Sequence, residues 1–464
     1  MCGKIYKEKV DMRIHFIAIG GTVMHDLAIA LAGQGHQISG SDNQIVEPSK
    51  SKLQDAGLLP EVLGWNSENI TSDLDAVIIG VQVKDDNPEL LKAQELGLKI
   101  YSIQEFIYEQ SIEKTRVVIA GRTGKTTIMS MVMHVLNEVG VEFDYLVGSK
   151  VKGFDSLVSF SPQNKLILLE GDAFEASCLD ERSKFEIYQP NIALITGVHS
   201  DFCEKNISEE ELFARFERLV KSIVPKGTLI YNKEDKSVSE LLDATKDLKL
   251  NRHGYNLPSY HIEKGVTYLH TDDANIALRV HGKYYLSYIS GAMTVCEWLG
   301  VSRADFYSAI ETFEGSIRDL EYLGGKDGSV VYRDFSQFLY KIKDSIRIVK
   351  DQFEGFNLVT VLQLNDSLIK QLAGTQSIEY FLGKSDEIIM LLPEESLEGE
   401  QENENIKSII NLLGNENNVR LAKDINEVMV YLKTIENYQY NLLIISSNEE
   451  NPLPYSELMG GFFK

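Results

Sequence analysis

The sequence predicts an α/β fold made of three successive open sheets. Three observations lead there. Twice, a β-rich apolar run ends in glycines and passes into a helical pattern: residues 14–19 before Gly20-Gly21, and residues 117–120 before Gly121-Arg122-Thr123-Gly124. Several short apolar runs finish in polar or acidic residues, as parallel strands do at the edge where ligands sit. Strand and helix patterns then alternate to the end of the chain, the signature of parallel sheets with helices on their faces.

The first strand, residues 14–19, is followed by Gly20-Gly21, Thr22 and a helical pattern over residues 24–33. A second strand, 36–40, ends in Ser41-Asp42. An acidic residue about twenty positions after the glycines is where a Rossmann-type βαβ unit holds a ribose. Only two glycines stand where that fingerprint has three. The opening therefore suits a nucleotide-containing ligand or a plain β–turn–α packing junction. A buried strand over 76–80, a helix over 88–96 with Pro88 in its first turn, a strand over 98–101 and a helix over 103–110 follow. Glu113-Lys114 reads as the boundary into the next domain.

That domain opens on Gly121-Arg122-Thr123-Gly124-Lys125-Thr126-Thr127, with a helical run over 128–139 behind it. Strand, glycine loop and helix N-terminus come in the order needed to cradle phosphate. Gly121 and Gly124 allow amide N–H groups to turn toward an anion. Lys125 supplies a point charge for the outer phosphates, and the Thr126 hydroxyl suits Mg²⁺. The spacing is shorter than G-x-x-x-x-G-K-[ST], so an ordinary strand–turn–helix junction with a solvated lysine is the other reading. Strand 166–169 ends in Glu170-Gly171-Asp172, strand 192–195 in Thr196-Gly197-Val198-His199-Ser200-Asp201, and strand 228–231 in Asn232. Glu170 is placed either to hold Mg²⁺ or to serve as a helix cap or surface charge.

The third part begins near Glu321. Strand 329–332 leads to Arg333-Asp334, then an amphipathic helix over 339–352 and strands over 358–362, 387–392 and 441–446. Residues 394–404 carry six glutamates in eleven positions, which reads as a solvated loop or helix edge.

Composition limits the partners. The 464 residues are 43% hydrophobic and 25% charged, as in a globular protein. A formal charge of −23 argues against a nucleic-acid backbone or an anionic membrane as main partner. No apolar run approaches the ~20 residues that span a bilayer, so no membrane insertion is expected. Cys2, Cys178, Cys203 and Cys296 form no C-x-x-C pair, which suits a reducing, cytoplasmic setting.

Taken together, the glycine-bearing opening, the G-x-x-G-K-T-T loop, the strand ending Glu-Gly-Asp and the third α/β part resemble the Mur ligase family. These are three-domain, ATP-dependent amide ligases that build the peptide of the bacterial cell wall. The stretches at 15–21, 47–51, 86–93, 143–148 and 188–195 place the resemblance in the branch of muramyl tripeptide and L-alanine ligases. It implies an N-terminal Rossmann-like UDP-muramyl domain (1–113), a central P-loop ATP domain (114–320) and a C-terminal Rossmann-like α/β domain (321–464). It further implies ATP and Mg²⁺ as cofactors, with a UDP-N-acetylmuramate-type nucleotide sugar and an amino acid or peptide amine as substrates. By resemblance, Lys125 clamps the γ-phosphate, Thr126 and Glu170 hold Mg²⁺, and Gly121 to Thr127 form the nucleotide loop. Arg318 neutralises phosphoryl charge, Asp334 contributes to the nucleotide site, and Gly20, Gly21, Thr22 and Asp42 hold the UDP moiety.

Several family positions differ. Phe202 stands where the family has a metal-binding histidine, and Ala173 where it has a carboxylate. Tyr284, Tyr285 and Tyr288 replace the polar groups of His-Asn-x-x-Asn. Arg318-Asp319 replaces a pair of arginines, and Arg333-Asp334-Phe335 lacks the histidines and proline that follow in the family. These losses leave a second expectation open, a non-catalytic relative that binds nucleotide or a muramyl ligand. A nicotinamide-dependent oxidoreductase accounts for the opening unit but leaves the second glycine loop unexplained.

Overall fold

The apolar runs become parallel strands because helices cover both faces, so both side-chain directions must be apolar. Residues 117–120 and 192–195 are buried without interruption. The computed structural model describes residues 11–198, 207–315, 320–326, 328–375, 378–392, 409, 418–435, 440–446, 453, 455, 458 and 459. They fall into two units, Met1–Leu257 with Ser287–Ile310, and Pro258–Leu286 with Glu311–Lys464.

The first unit holds two large sheets and, among the described residues, a small two-stranded one. One has four parallel strands, β1 (Arg13–Ile17), β2 (Gln37–Ser41), β3 (Ala76–Ile79) and β4 (Ile100–Ser102), in the order β2-β1-β3-β4. β1 stops two residues short of the expected end. Ala18 adopts φ +72°, and the amides of Ala18 and Ile19 both donate to the Ser41 carbonyl. The chain thus turns into the Gly20-Gly21 loop while Ile19 stays buried. The helix Thr22–Gly33 buries Met24, Leu27, Ala28 and Leu31, one stripe at helical spacing.

The larger sheet contains β5 (Thr115–Ala120), β6 (Asp144–Leu146), β7 (Val158–Ser159), β8 (Leu166–Glu170), β11 (Ile192–Ile195), β12 (Thr228–Asn232) and β13 (Asn251–Tyr255). Its order is β13-β12-β11-β5-β8-β6-β7, parallel except for β7. A hairpin of β9 (Glu175–Ser177) and β10 (Asp180–Ser183) follows β8. The helix after the glycine loop runs Lys125–Glu138, three residues earlier than expected, so Lys125 and Thr126 lie on its first turn.

The second unit has an antiparallel sheet of β14 (Tyr260–Glu263), β15 (Val266–His270) and β16 (Asn275–Leu278). Its main sheet has β17 (Glu321–Lys326), β18 (Ser329–Asp334), β19 (Asn357–Gln363), β20 (Glu387–Leu391), β21 (Val419–Ala422) and β22 (Tyr440–Ile445), in the order β17-β18-β22-β19-β20-β21. Alternate residues feed two cores. Leu358, Leu362, Leu443 and Ile445 pack on one face with Ile342, Ile346 and Val349 of the helix Leu339–Gln352. Val359, Val361, Leu442 and Ile444 pack on the other with Val428 and Leu432. Gln352 fastens the small sheet to this helix, its amide donating to the Gly265 carbonyl at 2.7 Å. The glutamate run at 394–404 lies outside the described residues.

Candidate functional site

The glycine loop closes at the carboxyl edge of β5. Gly121 takes φ +139° and Gly124 φ +78°, conformations that side chains rarely adopt. Their neighbours exclude a side chain as well. A Cβ on Gly121 would lie 1.9 Å from Thr196 Oγ1, and one on Gly124 would lie 2.3 Å from the Tyr288 ring. The Thr196 hydroxyl donates to the Thr123 carbonyl at 2.6 Å, and the Arg122 amide donates to Gly197 O at 3.1 Å. β11's end therefore braces the loop from one side. The Lys125 ammonium folds back onto Gly121 O at 2.9 Å, and Thr127 O accepts the Ser130 hydroxyl.

Glu170, the last residue of β8, lies opposite. Its Oε1 accepts the Thr126 hydroxyl at 2.8 Å and its Oε2 the Gly148 amide at 2.9 Å. Two hard oxygens at that separation suit Mg²⁺, whose neighbouring octahedral ligands lie about 3 Å apart at ~2.1 Å bond lengths. Among the described residues no cluster of three or more His, Cys, Asp or Glu forms a metal site. The set that Thr126 and Glu170 offer is therefore one that leaves positions to water and phosphate.

One cavity of about 450 Å³ reaches from the first glycine loop to Lys125, just behind the second. Gly20, Gly21, Thr22 and Asp42 line it, as do Lys125, Gly148, Glu170, Asp172 and Lys184. All belong to the first unit. Asp42 is turned toward its own loop: its Oδ2 accepts the Gly20 amide at 2.9 Å. The carboxylate that the βαβ pattern assigns to a ribose thus also fixes the glycine turn. Burial pushes the Tyr188 phenol, on the cavity wall, well above its usual range.

Arg318 is outside the described residues, as are Asp201, Phe202 and Asp319. Asp334 belongs to the second unit, where its carboxylate accepts the Ser336 amide at 2.6 Å and the Ser345 hydroxyl at 2.5 Å. Burial pushes this carboxyl up, against the pull of those two hydrogen bonds.

Residues at the site to which motif reading gives no role are Gly148, Thr196 and Lys184; Tyr288 it marks only as a departure from the family pattern. Gly148 acts through its amide, which leaves no side-chain signal. Tyr288 belongs to the altered 284–288 stretch. Its ring covers Gly124, and its hydroxyl lies 3.4 Å from Thr123 Oγ1.

Residues 13–114 match the Mur ligase family, catalytic domain, and residues 119–292 match the Mur ligase middle domain. The UDP-N-acetylmuramate–L-alanine ligase of Carboxydothermus hydrogenoformans is 28% identical over 361 residues, 75% of either chain. Among solved structures, UDP-N-acetylmuramate-alanine ligase from Thermotoga maritima is similar with a TM-score of 0.64 at 20% identity, covering 94% of this chain and 96% of its own. A murein peptide ligase from Psychrobacter arcticus gives 0.62 at 18% identity, over 97% and 98%. At such identities the likeness is one of fold.

Proposed function

This chain belongs to the Mur ligase family, and we propose that it is an ATP-dependent ligase joining an amino acid or peptide to a UDP-N-acetylmuramate-type acid. The observation that carries this reading is the single cavity reaching from the Gly20–Asp42 loop to Lys125 and Glu170. A nucleotide sugar seated at one end can present its acid group to a triphosphate at the other. A carboxylate oxygen attacks the γ-phosphorus and ADP leaves. The amine nitrogen then attacks the acyl carbon, loses its proton and expels phosphate. Charge develops on phosphoryl oxygens, so positioned cations and dipoles supply most of the acceleration.

In this reading the loop amides and Lys125 seat the outer phosphates. Thr126 and Glu170 hold Mg²⁺, which when bound neutralises phosphate charge, and Gly148 keeps Glu170 aimed at it. Gly20, Gly21, Thr22 and Asp42 receive the UDP moiety. Among the described residues no helix is long and apolar enough to cross a membrane, and a cytoplasmic setting fits a nucleotide-dependent reaction.

A second reading, a relative that binds but does not turn over, is favoured by the Tyr288 ring over Gly124 and by Ala173 where a carboxylate is expected. One assay separates the two. ATP, Mg²⁺ and UDP-N-acetylmuramate are mixed with L-alanine or with L-alanyl-γ-D-glutamyl-meso-diaminopimelate, and phosphate release is followed. The ligase reading expects release that depends on the amine and falls roughly 100- to 1,000-fold in Lys125→Ala. Release equal to that variant's, with ATP still bound, selects the silent relative.

A further inference from the structure

The cavity contains two ammonium groups, and the reading above uses only one. Lys125 stands on the first turn behind the glycine loop and is committed to the triphosphate end. Lys184 lines the same cavity, as do Gln104 and Tyr188. Its place is set by backbone lacing. β8 ends at Glu170, and a Cβ on the next residue, Gly171, would lie 3.2 Å from the Cβ of Phe185. The 184–187 turn therefore rests directly on the strand end. The Lys184 amide donates to Phe174 O at 2.9 Å, and the Phe185 amide to Asp172 O at 3.3 Å. Lys184 thereby reaches Asp172, two residues beyond Glu170, with its Nζ 3.3 Å from Asp172 Oδ2.

Resting on the ligase reading, we propose that Lys184 is the cation that seats the carboxylate of the acid substrate. An ammonium has three donors, and among the described residues Asp172 takes one at a long distance. The Lys184 side chain is 23% exposed and lines the cavity, so an ammonium with donors to spare borders the space a substrate would enter. The cavity otherwise presents Asp42, Glu170 and Asp172 in a protein of net charge −23. An incoming carboxylate meets those groups and a polyanionic triphosphate. It requires a fixed positive partner that the triphosphate does not already occupy. Lys184, which lines the same cavity as Glu170, fills that role. Asp172 holds the ammonium in place until substrate arrives.

The alternative anion on the same substrate is its diphosphate. UDP-N-acetylglucosamine carries that diphosphate without the lactyl carboxylate, so it separates the two. Titration calorimetry on the full chain compares both nucleotide sugars with wild type, Lys184→Met and Lys184→Arg. Lys184→Met is expected to weaken UDP-N-acetylmuramate about 10- to 100-fold, the scale of a lost charge-assisted hydrogen bond. UDP-N-acetylglucosamine and ATP are expected to stay within about two-fold, Lys184→Arg to recover most of the affinity, and the thermal midpoint to hold. Unchanged UDP-N-acetylmuramate binding in Lys184→Met overturns the proposal, and so does equal loss of both sugars. Wild type that binds ATP but neither sugar defeats the ligase reading itself.

Discussion

A hydroxyl and a carboxylate 2.8 Å apart do different work with and without a cation between them. In this structure the Thr126 hydroxyl donates to Glu170 Oε1. In the proposed site Mg²⁺ would draw lone pairs from both oxygens, while the Gly148 amide, which donates to the other oxygen of Glu170, would keep that carboxylate in place. Thr126→Val retains the β-branched shape and deletes only the oxygen. ATP affinity in the presence of Mg²⁺ is expected to fall about tenfold or more, while affinity measured in EDTA stays level. An equal fall in both conditions, read by calorimetry, removes the metal role from Thr126. The residues legible in the sequence here, Lys125, Thr126 and Glu170, declare themselves by side-chain chemistry. Gly148 and Thr196 do not. One acts by its amide across 22 positions, and the other by a hydroxyl that reaches back 73.

The helix Thr22–Gly33 shows what periodicity reads and what it misses. Its apolar stripe is visible in the sequence, and Asp26 lies off that stripe, which reads as a solvated position. The structure buries Asp26 at 4% exposure because the larger sheet's edge covers that side. Its Oδ2 accepts the Leu157 amide at 2.7 Å, 131 positions away, and its Oδ1 pairs with Lys52 at 2.8 Å. The next residue back, His25, bonds the Gly21 carbonyl at 2.9 Å and the Ser49 hydroxyl at 3.0 Å. His25 thus ties the first glycine loop to the helix Ser49–Asp55, and Asp26 ties its helix to that one and to Leu157, just before β7 of the larger sheet. Lys114 repeats the lesson. The sequence places it at a domain boundary, yet it is 7% exposed and bonds Asp144 and the Ser161 carbonyl. Contacts between elements depend on which surfaces meet, and a one-dimensional pattern carries no record of that.

Burial alone pushes the Asp26 carboxyl up. The His25 ring, the Leu157 amide and the Lys52 ammonium more than reverse it, holding the group well below the usual carboxylate range. A depressed folded-state value means that the ionised form stabilises the fold. That contribution is complete above the unfolded value of about 3.9 and fades as pH falls through the folded one. Asp26→Asn is therefore expected to cost roughly 1.5–3 kcal/mol at pH 7. The gap from wild type stays constant down to about pH 5 and narrows below about pH 4. A gap in thermal midpoint that widens on acidification contradicts this assignment.

At the scale of the molecule, the chain passes between two units three times, yet both glycine loops and the whole cavity belong to one of them. The alternation of strand and helix made most of the parallel strands of the three main sheets legible. The antiparallel strands 260–278 were not, because alternating polar and apolar residues such as Tyr260–Glu263 lack the long apolar run. Those strands fall in the second unit, tied there by Gln352 to Thr267 and Gly265. Each unit has its own core, so unfolding departs from two-state behaviour. A ligand stabilises only the unit that binds it, by about 2.7 kcal/mol at a hundred times its dissociation constant. Differential scanning calorimetry is expected to resolve two transitions. Saturating ATP with Mg²⁺ should raise the one belonging to the first unit by several °C and leave the other in place, and Lys125→Ala should abolish that movement. If both transitions rise together, the nucleotide draws on the second unit as well, and residues such as Asp334 regain a place at the phosphate end.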